Sequence, residues 1–512
     1  MDFRTEYIPE SDLLFGNRQE EKDPRLGLKY FGPLNYSGGD IKEKIGLGIV
    51  GDVYTIQKTR RLIEQISKPI ESLEPNKWLY PPFPGISKRT AFKCSIVLSE
   101  TWEEKILKSE VDNILQIVDV NERIGSAVEL YLQKINNIVI EDNPPDVIIC
   151  CIPKEIEEYC GISEKTRGAK VQKVTSLERK IDNMKKRNQS FLSEWGIVVK
   201  EDKEPFKGYD FRNSLKGRVM SLKPAVPLQL LRESTLDYIL DFDSSKVKLR
   251  QDPSSFAWNF STALFYKANG KPWRLAKLRQ DSCYVGVSFY RDKLGVDRDI
   301  HTSMAQVFTH NGEGLVLRGE DVYLDEKSKE PHLTSKQAYK LMQDSLARYI
   351  EKARRTPSRV VVHKKTIFVE SELEGFNKAI DELGIHNIIR DFVSVSKGKR
   401  IRFMRKGSYP VLRGTLISLT EKEHLLYTSG YIPRIRTYPG HSVPEPLYLI
   451  HEGDSGIIEI CTEILGLTKL NWNTTSFATY LPITLEFSEK VGQVLSELDK
   501  NLEVQNHYRF YM

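Results

Sequence analysis

Between prolines the chain runs Val147-Ile-Ile-Cys-Cys-Ile152, with Pro144 and Pro145 before it and Pro153 after it. Proline withholds a backbone donor, so the flanks confine this short apolar run to a strand. A strand that is apolar on both faces cannot turn one of them to water; it suits the middle of a parallel sheet covered by helices on both sides. The first half of the chain is therefore expected to be a Rossmann-like α/β layer structure. No Gly-x-Gly-x-x-Gly follows the strand, so a dinucleotide-binding turn has no support.

Around this strand, the apolar spacing of Val53 to Ser67 predicts an amphipathic helix, Ala91 to Ser99 alternates like a strand, and a helical region extends to about Ile135. At 512 residues with 40% hydrophobic content, the chain has room for two to four domains and ample core. No uninterrupted apolar run approaches the ~20 residues needed to cross a bilayer, and the acidic N-terminus lacks a signal-peptide core, which predicts a cytoplasmic protein without membrane contact. The six cysteines include no Cys-x-x-Cys pair, as expected of buried thiols in a reducing compartment. A net charge of +6 is too mild for a general nucleic-acid coat, so any polyanion site must be local.

One such locality is residues 212 to 267. Arg212 and Lys216 stand four apart in a helical pattern, so both cations leave one face and repel each other. A bound anion would make sense of that; so would a solvated basic face. Pro224 and Pro227 form a rigid turn ahead of Gln229, and a second helical run closes on Lys267, stopped by Asn269 and Gly270. The turn and its two helices thus offer two Lys, one Arg and one Gln.

From Ser282 the pattern changes to three consecutive strands with a Gly-containing hairpin at Asn311 to Gly314. A long helix follows, with Thr334 as N-cap and Leu341, Ser345, Leu346 and Tyr349 inward, then a fourth strand over Arg359 to Phe368. Three antiparallel strands, a helix and a further strand are the order of a ribonuclease H-like fold.

The set Arg212, Lys216, Gln229 and Lys267, with Gly270 to Trp273 (Gly-Lys-Pro-Trp) behind it, resembles the guide 5′-phosphate pocket of Argonaute proteins. Other segments are similar to the same family. The opening pairs Leu13 to Asn17 with Asp-Pro-Arg-Leu-Gly-Leu, where Phe15, Leu28, Tyr30 and Phe31 are expected to anchor the segment; later come Thr428 to Pro433, Leu470 to Asn473 and the Leu481-Pro482 helix start. The resemblance covers the chain and leaves no room for N and PAZ domains, as in short prokaryotic Argonautes. It implies an α/β chain with a Rossmann-like MID domain over 1–275, including an N-terminal extension, and a ribonuclease H-like PIWI domain over 276–512.

In cutting relatives, two metal ions sit among acidic residues. By the resemblance, Ser288 and Lys365 occupy two of those acidic positions, Glu320 and Glu489 fall near two others, and Asp292 is the nearest further acid. A hydroxyl is a poor ligand and an ammonium repels the ions, so no catalytic residue and no cutting are expected. The expected role is guide-dependent recognition: a short 5′-phosphorylated guide, RNA by preference, pairing with single-stranded DNA. The family also implies Mg²⁺ at the guide phosphates, held in part by the terminal carboxylate of Met512. The implied partner is an APAZ-domain effector, TIR or sirtuin-like with NADase activity or in other cases a nuclease, switched on in defence against plasmids and phages, with higher oligomers on activation. Arg400, Arg402, Arg434 and Arg436 are candidate channel residues. Two other readings stay open: an active guide-directed nuclease, and a small-molecule α/β enzyme.

Overall fold

The computed structural model describes residues 4–34, 42–161, 175, 179, 208–240, 251–291, 300–309, 312, 314–323, 330–398, 401–440, 442–499, 502 and 504–512. The chain opens with β1 (Arg4–Tyr7), β2 (Leu13–Leu14), β3 (Glu20–Glu21) and α1 (Pro24–Phe31). Asp23 caps α1 by accepting from the amides of Arg25 and Leu26, and Pro24 occupies the first turn, where its missing N–H costs nothing. Phe15 and Leu28 are fully buried as expected, but Tyr30 is exposed. Two residues are about 200° of helix rotation, so Leu28 and Tyr30 point to opposite sides.

Next come β4 (Lys44–Gly51), α2 (Val53–Ile66), β5 (Ser95–Lys105), α3 (Lys108–Leu115), α4 (Val120–Val139) and β6 (Val147–Ile152). The strand expected over Ala91 to Ser99 begins at Ser95 and runs on to Lys105, because the chain turns at Lys93, which has φ 52°. After α5 (Lys154–Tyr159), α6 (Phe211–Val219), β7 (Leu228–Arg232), α7 (Glu233–Leu240) and α8 (Pro253–Lys267), a four-stranded parallel sheet is complete in the order β5-β4-β6-β7. The apolar strand β6 is interior and all six of its residues are buried. All six cysteines are buried and free.

The second half carries β8 (Arg274–Leu275), β9 (Ser282–Arg291), β10 (Ile300–Phe308), β11 (Gly314–Tyr323), α9 (Ser335–Ala353), β12 (Arg359–Lys364) and α10 (Glu370–Asp381). Thr334 caps α9 in a reciprocal pair with Gln337, and Leu341, Ser345, Leu346 and Tyr349 are buried. Of the expected hairpin, Asn311 and Glu313 lie outside the described residues; Gly312 has φ 78° and Phe308 pairs with Gly314. The strand expected to reach Phe368 stops at Lys364, whose buried ammonium bonds the carboxylate of Glu372 at the start of α10 and turns the chain there. The chain closes with β13 (Ile389–Lys397), β14 (Thr415–Ser418), β15 (Glu423–Leu426), β16 (Leu447–Gly453), α11 (Ile457–Leu467), α12 (Ile483–Glu486) and α13 (Ser488–Leu495).

A nine-stranded sheet results, ordered β1-β14-β15-β16-β13-β12-β9-β10-β11. Strand β12 runs parallel to both neighbours, whereas β10 runs antiparallel to both β9 and β11, the ribonuclease H-like arrangement. The first strand of the chain closes one edge by pairing with β14, while β2 and β3 join β8 in a small separate sheet. Helices α12 and α13 lie on β9: a Cβ on Gly286 would come within 2.0 Å of the Thr484 carbonyl oxygen. Among the described residues no helix is long and apolar enough to cross a membrane.

Candidate anion-binding site

Helix α6 starts at Asp210, whose carboxylate caps the amide of Asn213, and this sets Arg212 and Lys216 one turn apart on one face. Lys216 is only 3% exposed, and its Nζ donates to the main-chain oxygens of Tyr511, at 3.4 Å, and Met512. Helix α8 ends at Lys267 because Asn269 takes the left-handed conformation, φ 67°, and the Gly270 amide returns to the Phe265 oxygen. Lys267 is 2% exposed and donates to Oε1 of Gln229 at 2.7 Å. Gln229 is held on β7, in register with Ile149 of the apolar strand.

The four expected residues thus fall at one locality, and their charges act on one another. Burial pushes the Lys267 ammonium down to about 7, with Arg212 adding to the effect. Lys216 is driven well below the usual lysine range by burial first, then by Arg212, Lys267 and Lys490, against Asp210. Arg212, open to solvent at the rim, is lowered by the surrounding protein and by Arg232. Neither buried lysine forms an ion pair with an Asp or Glu side chain among the described residues. Buried cations that no acidic side chain balances are costly, and an anion with several oxygens relieves that cost.

Lys490 escaped the sequence reading. It lies on α13, far along the chain, with Glu486 four residues before it and Glu489 beside it, the pattern of a salt-laced helix surface. Burial and Arg212 nevertheless lower its pKa, which puts it within reach of the cluster. Helix α13 and the turn after it pack on α6: a Cβ on Gly217 of α6 would lie 2.6 Å from Leu498, three residues beyond α13.

Ser288 and Lys365 each follow a paired residue on adjacent strands. Val287 pairs with Lys364, so Ser288 and Lys365 are the next position on two parallel chains. Ser288 is buried, its hydroxyl without a hydrogen-bond partner, and Lys365 is exposed. Glu486 is near Lys365, its carboxyl raised by burial and lowered by Lys490 and Lys365. Glu320 is ion-paired with Lys340 at 2.8 Å, Glu489 is exposed, and Asp292 lies outside the described residues. Among the described residues no group of three His, Cys, Asp or Glu side chains stands close enough to hold a metal ion. His363, fully buried with Nδ1 2.8 Å from the Thr484 hydroxyl, is kept neutral by burial, its pKa lowered to about 3.

The candidate channel arginines are engaged within the chain. Arg402 pairs with Glu445, Arg434 with Glu21 at 2.8 Å, and Arg436 lies 4.7 Å over the Trp78 ring. Arg400 lies outside the described residues.

No family model and no curated protein matches this sequence. Solved structures do match in fold. The chain is similar to the Clostridium butyricum Argonaute bound to a guide DNA and a 19-mer target DNA, with a TM-score of 0.62 at 15% identity, over 100% of this chain and 55% of that one. It is similar to Aa-Ago with externally bound siRNA, TM-score 0.55 at 15% identity, over 99% and 56%. The A. aeolicus Argonaute gives 0.53 at 13% identity, over 99% and 55%. The chain thus spans about half the length of these proteins, and its fold is the MID-PIWI fold of Argonautes.

Proposed function

We propose that this chain is a guide-dependent recognition subunit, with a MID unit over 1–275 and a PIWI unit over 276–512. Arg212, Lys216, Gln229 and Lys267 grip the 5′-phosphate of a short guide, RNA by preference, and Lys490 approaches from the second unit. The guide then pairs with single-stranded DNA, and base pairing supplies the sequence specificity while the protein holds backbone and shape. The observation that carries this is the pair of buried lysines, Lys216 and Lys267, which among the described residues have no Asp or Glu side-chain partner and converge with Arg212 and Gln229.

A subunit that binds without cutting is supported by a neutral hydroxyl at Ser288 and an ammonium at Lys365, one residue beyond a paired position on adjacent strands, where ions would need negative ligands. The effect of target binding then falls on a partner, an APAZ-domain effector of TIR, sirtuin-like or nuclease type. Target binding favours one state of the assembly over another, with oligomers in the active state and defence against plasmids and phages as the outcome.

Mg²⁺ fits this pocket only together with the guide. The anionic groups the chain brings there are the Met512 carboxyl and Asp210, and Lys216 already bonds the Met512 oxygen. Guide phosphates would furnish most of the ion's ligands, and the ion would neutralise their mutual repulsion.

Replacing Lys216 and Lys267 with Ala tests the assignment. Affinity for a 5′-phosphorylated guide is expected to fall at least 10-fold more than affinity for the 5′-hydroxyl form, at about 1.4 kcal/mol per tenfold. Equal losses would reduce these lysines to general charge. The rival reading, a guided nuclease, requires a target cut at a fixed guide position when guide, target, Mg²⁺ and Mn²⁺ are supplied.

A further inference from the structure

Residues 397 to 406, on the connection from β13 to β14, hold six Lys or Arg and no Asp or Glu. A charge run of this kind is by default a solvated surface, and two observations set this one apart. The first is its place. Strand β13 runs parallel to β12 with Ser394 opposite Lys364, so Lys397 stands three residues, about 10 Å, further along, at the end of the sheet where Ser288 and Lys365 lie.

The second is what the segment presents. Both its ends are pinned: the Phe403 amide donates to the Tyr427 hydroxyl at 2.8 Å, and the Val411 oxygen accepts from the Tyr431 amide at 2.9 Å. Gly430 permits the second contact, since a Cβ there would lie 2.3 Å from that same oxygen. Between the pins Met404 is 74% exposed and Tyr409 47%, and Arg405 and Lys406 are open to solvent. The Tyr409 ring is held in place: its centroid lies 4.4 Å from that of Tyr431, with 31° between the planes. Tyr431 backs one face of Tyr409, so the exposed area belongs to the other face and the edge. Nε of Arg405 donates to the Tyr409 oxygen at 3.2 Å, which sets this guanidinium beside the ring pair, 5.4 Å from the Tyr431 ring centre. Neither Arg405 nor Lys406 pairs with an acid among the described residues, unlike Arg402, which pairs with Glu445.

An open, backed aromatic face beside two unbalanced cations suits a ligand that alternates flat rings with negative charge. Single-stranded nucleic acid does so, because every base has a π-face and every base is followed by a phosphate. A duplex hides its base faces, and an acidic peptide would balance the cations without needing the ring. We infer that Tyr409 is a stacking platform for one base of an unpaired strand, with the adjoining phosphate on Arg405 and Lys406 and little preference among bases. The inference rests on the nucleic-acid role proposed above and adds to it a contact for strand that the guide has not paired.

Fluorescence anisotropy of the full chain with 5′-hydroxyl strands tests this. A 5′-hydroxyl oligothymidine is expected to bind about 10-fold tighter than an abasic strand of the same length and charge. Tyr409→Ala should remove most of that difference, and Tyr409→Phe, which keeps the ring, should retain it. Lys406→Met should lower the slope of log affinity against log salt by about 0.7. Ultraviolet crosslinking of a 5-iodouracil strand to the unaltered chain should label residues 403 to 411, and this readout stands even if Tyr409→Ala fails to fold. Equal binding of the abasic strand, an undiminished difference in Tyr409→Ala, or crosslinks only outside that segment overturns the inference. Displacement by polyglutamate as effective as by unlabelled oligothymidine also overturns it and makes the surface a dock for acidic protein. Strands with a 5′-hydroxyl leave the 5′-phosphate preference of Lys216 and Lys267 out of the measurement, so either reading can fail by itself.

Discussion

A lysine with its pKa near 7 has consequences that a surface lysine does not. An unfolded lysine titrates near ~10.4, whereas Lys267 in the folded protein does so at about 7 because it is buried beside Arg212. Between those values the unfolded chain binds more protons, so this group makes the guide-free protein more stable as pH rises from about 7 towards ~10. Lys267→Met is expected to flatten that part of the profile, read as melting temperature against pH. Guide binding runs the other way. A phosphate favours the ammonium form, so affinity for a 5′-phosphorylated guide should decline as pH rises above 7, and more steeply than for a 5′-hydroxyl guide. Binding titrations across pH 7 to 9 check this.

At the level of elements, the contact of α12 with β9 fixes what lies above the large sheet. Gly286 is needed there, since the Thr484 carbonyl occupies the space of any side chain. Gly286→Ala should destabilise the protein by about 3 kcal/mol, measured by denaturant unfolding, because rigid backbone cannot yield as a side-chain tip can. Much of this element structure was legible beforehand: β6 from its unbroken apolar run, α9 from Thr334 and its spacing, α8 from Asn269 and Gly270. The four candidate pocket residues were singled out by resemblance to a known family, since the spacing of Arg212 and Lys216 alone suits a solvated basic face equally well. Lys490 was not, since its neighbours Glu486 and Glu489 give it the look of ordinary helix surface and only the packing of α13 on α6 brings it to Arg212.

Across the whole molecule, buried ion pairs tie the first residues to the last part of the chain. Glu10 accepts from Arg413 at 2.7 Å and lies 3.7 Å from Lys469, itself buried and lowered to about 8 by that burial. The Lys469 oxygen in turn accepts from the indole of Trp273 at 2.9 Å, so one short network joins three distant stretches. Glu10→Ala strands two cations out of water and should cost about 3 kcal/mol or more, visible as a lowered unfolding midpoint.

The pairing of β1 with β14 has its own effect on how copies of this molecule meet. A sheet border is a row of open amides and carbonyls, on which a neighbouring chain can crystallise into ever-growing stacks. Among the described residues that border spans Arg4–Tyr7, Arg-Thr-Glu-Tyr, with Arg4 and Glu6 ion-paired at 2.7 Å along it. Shortness and charge make it a poor template for such stacking.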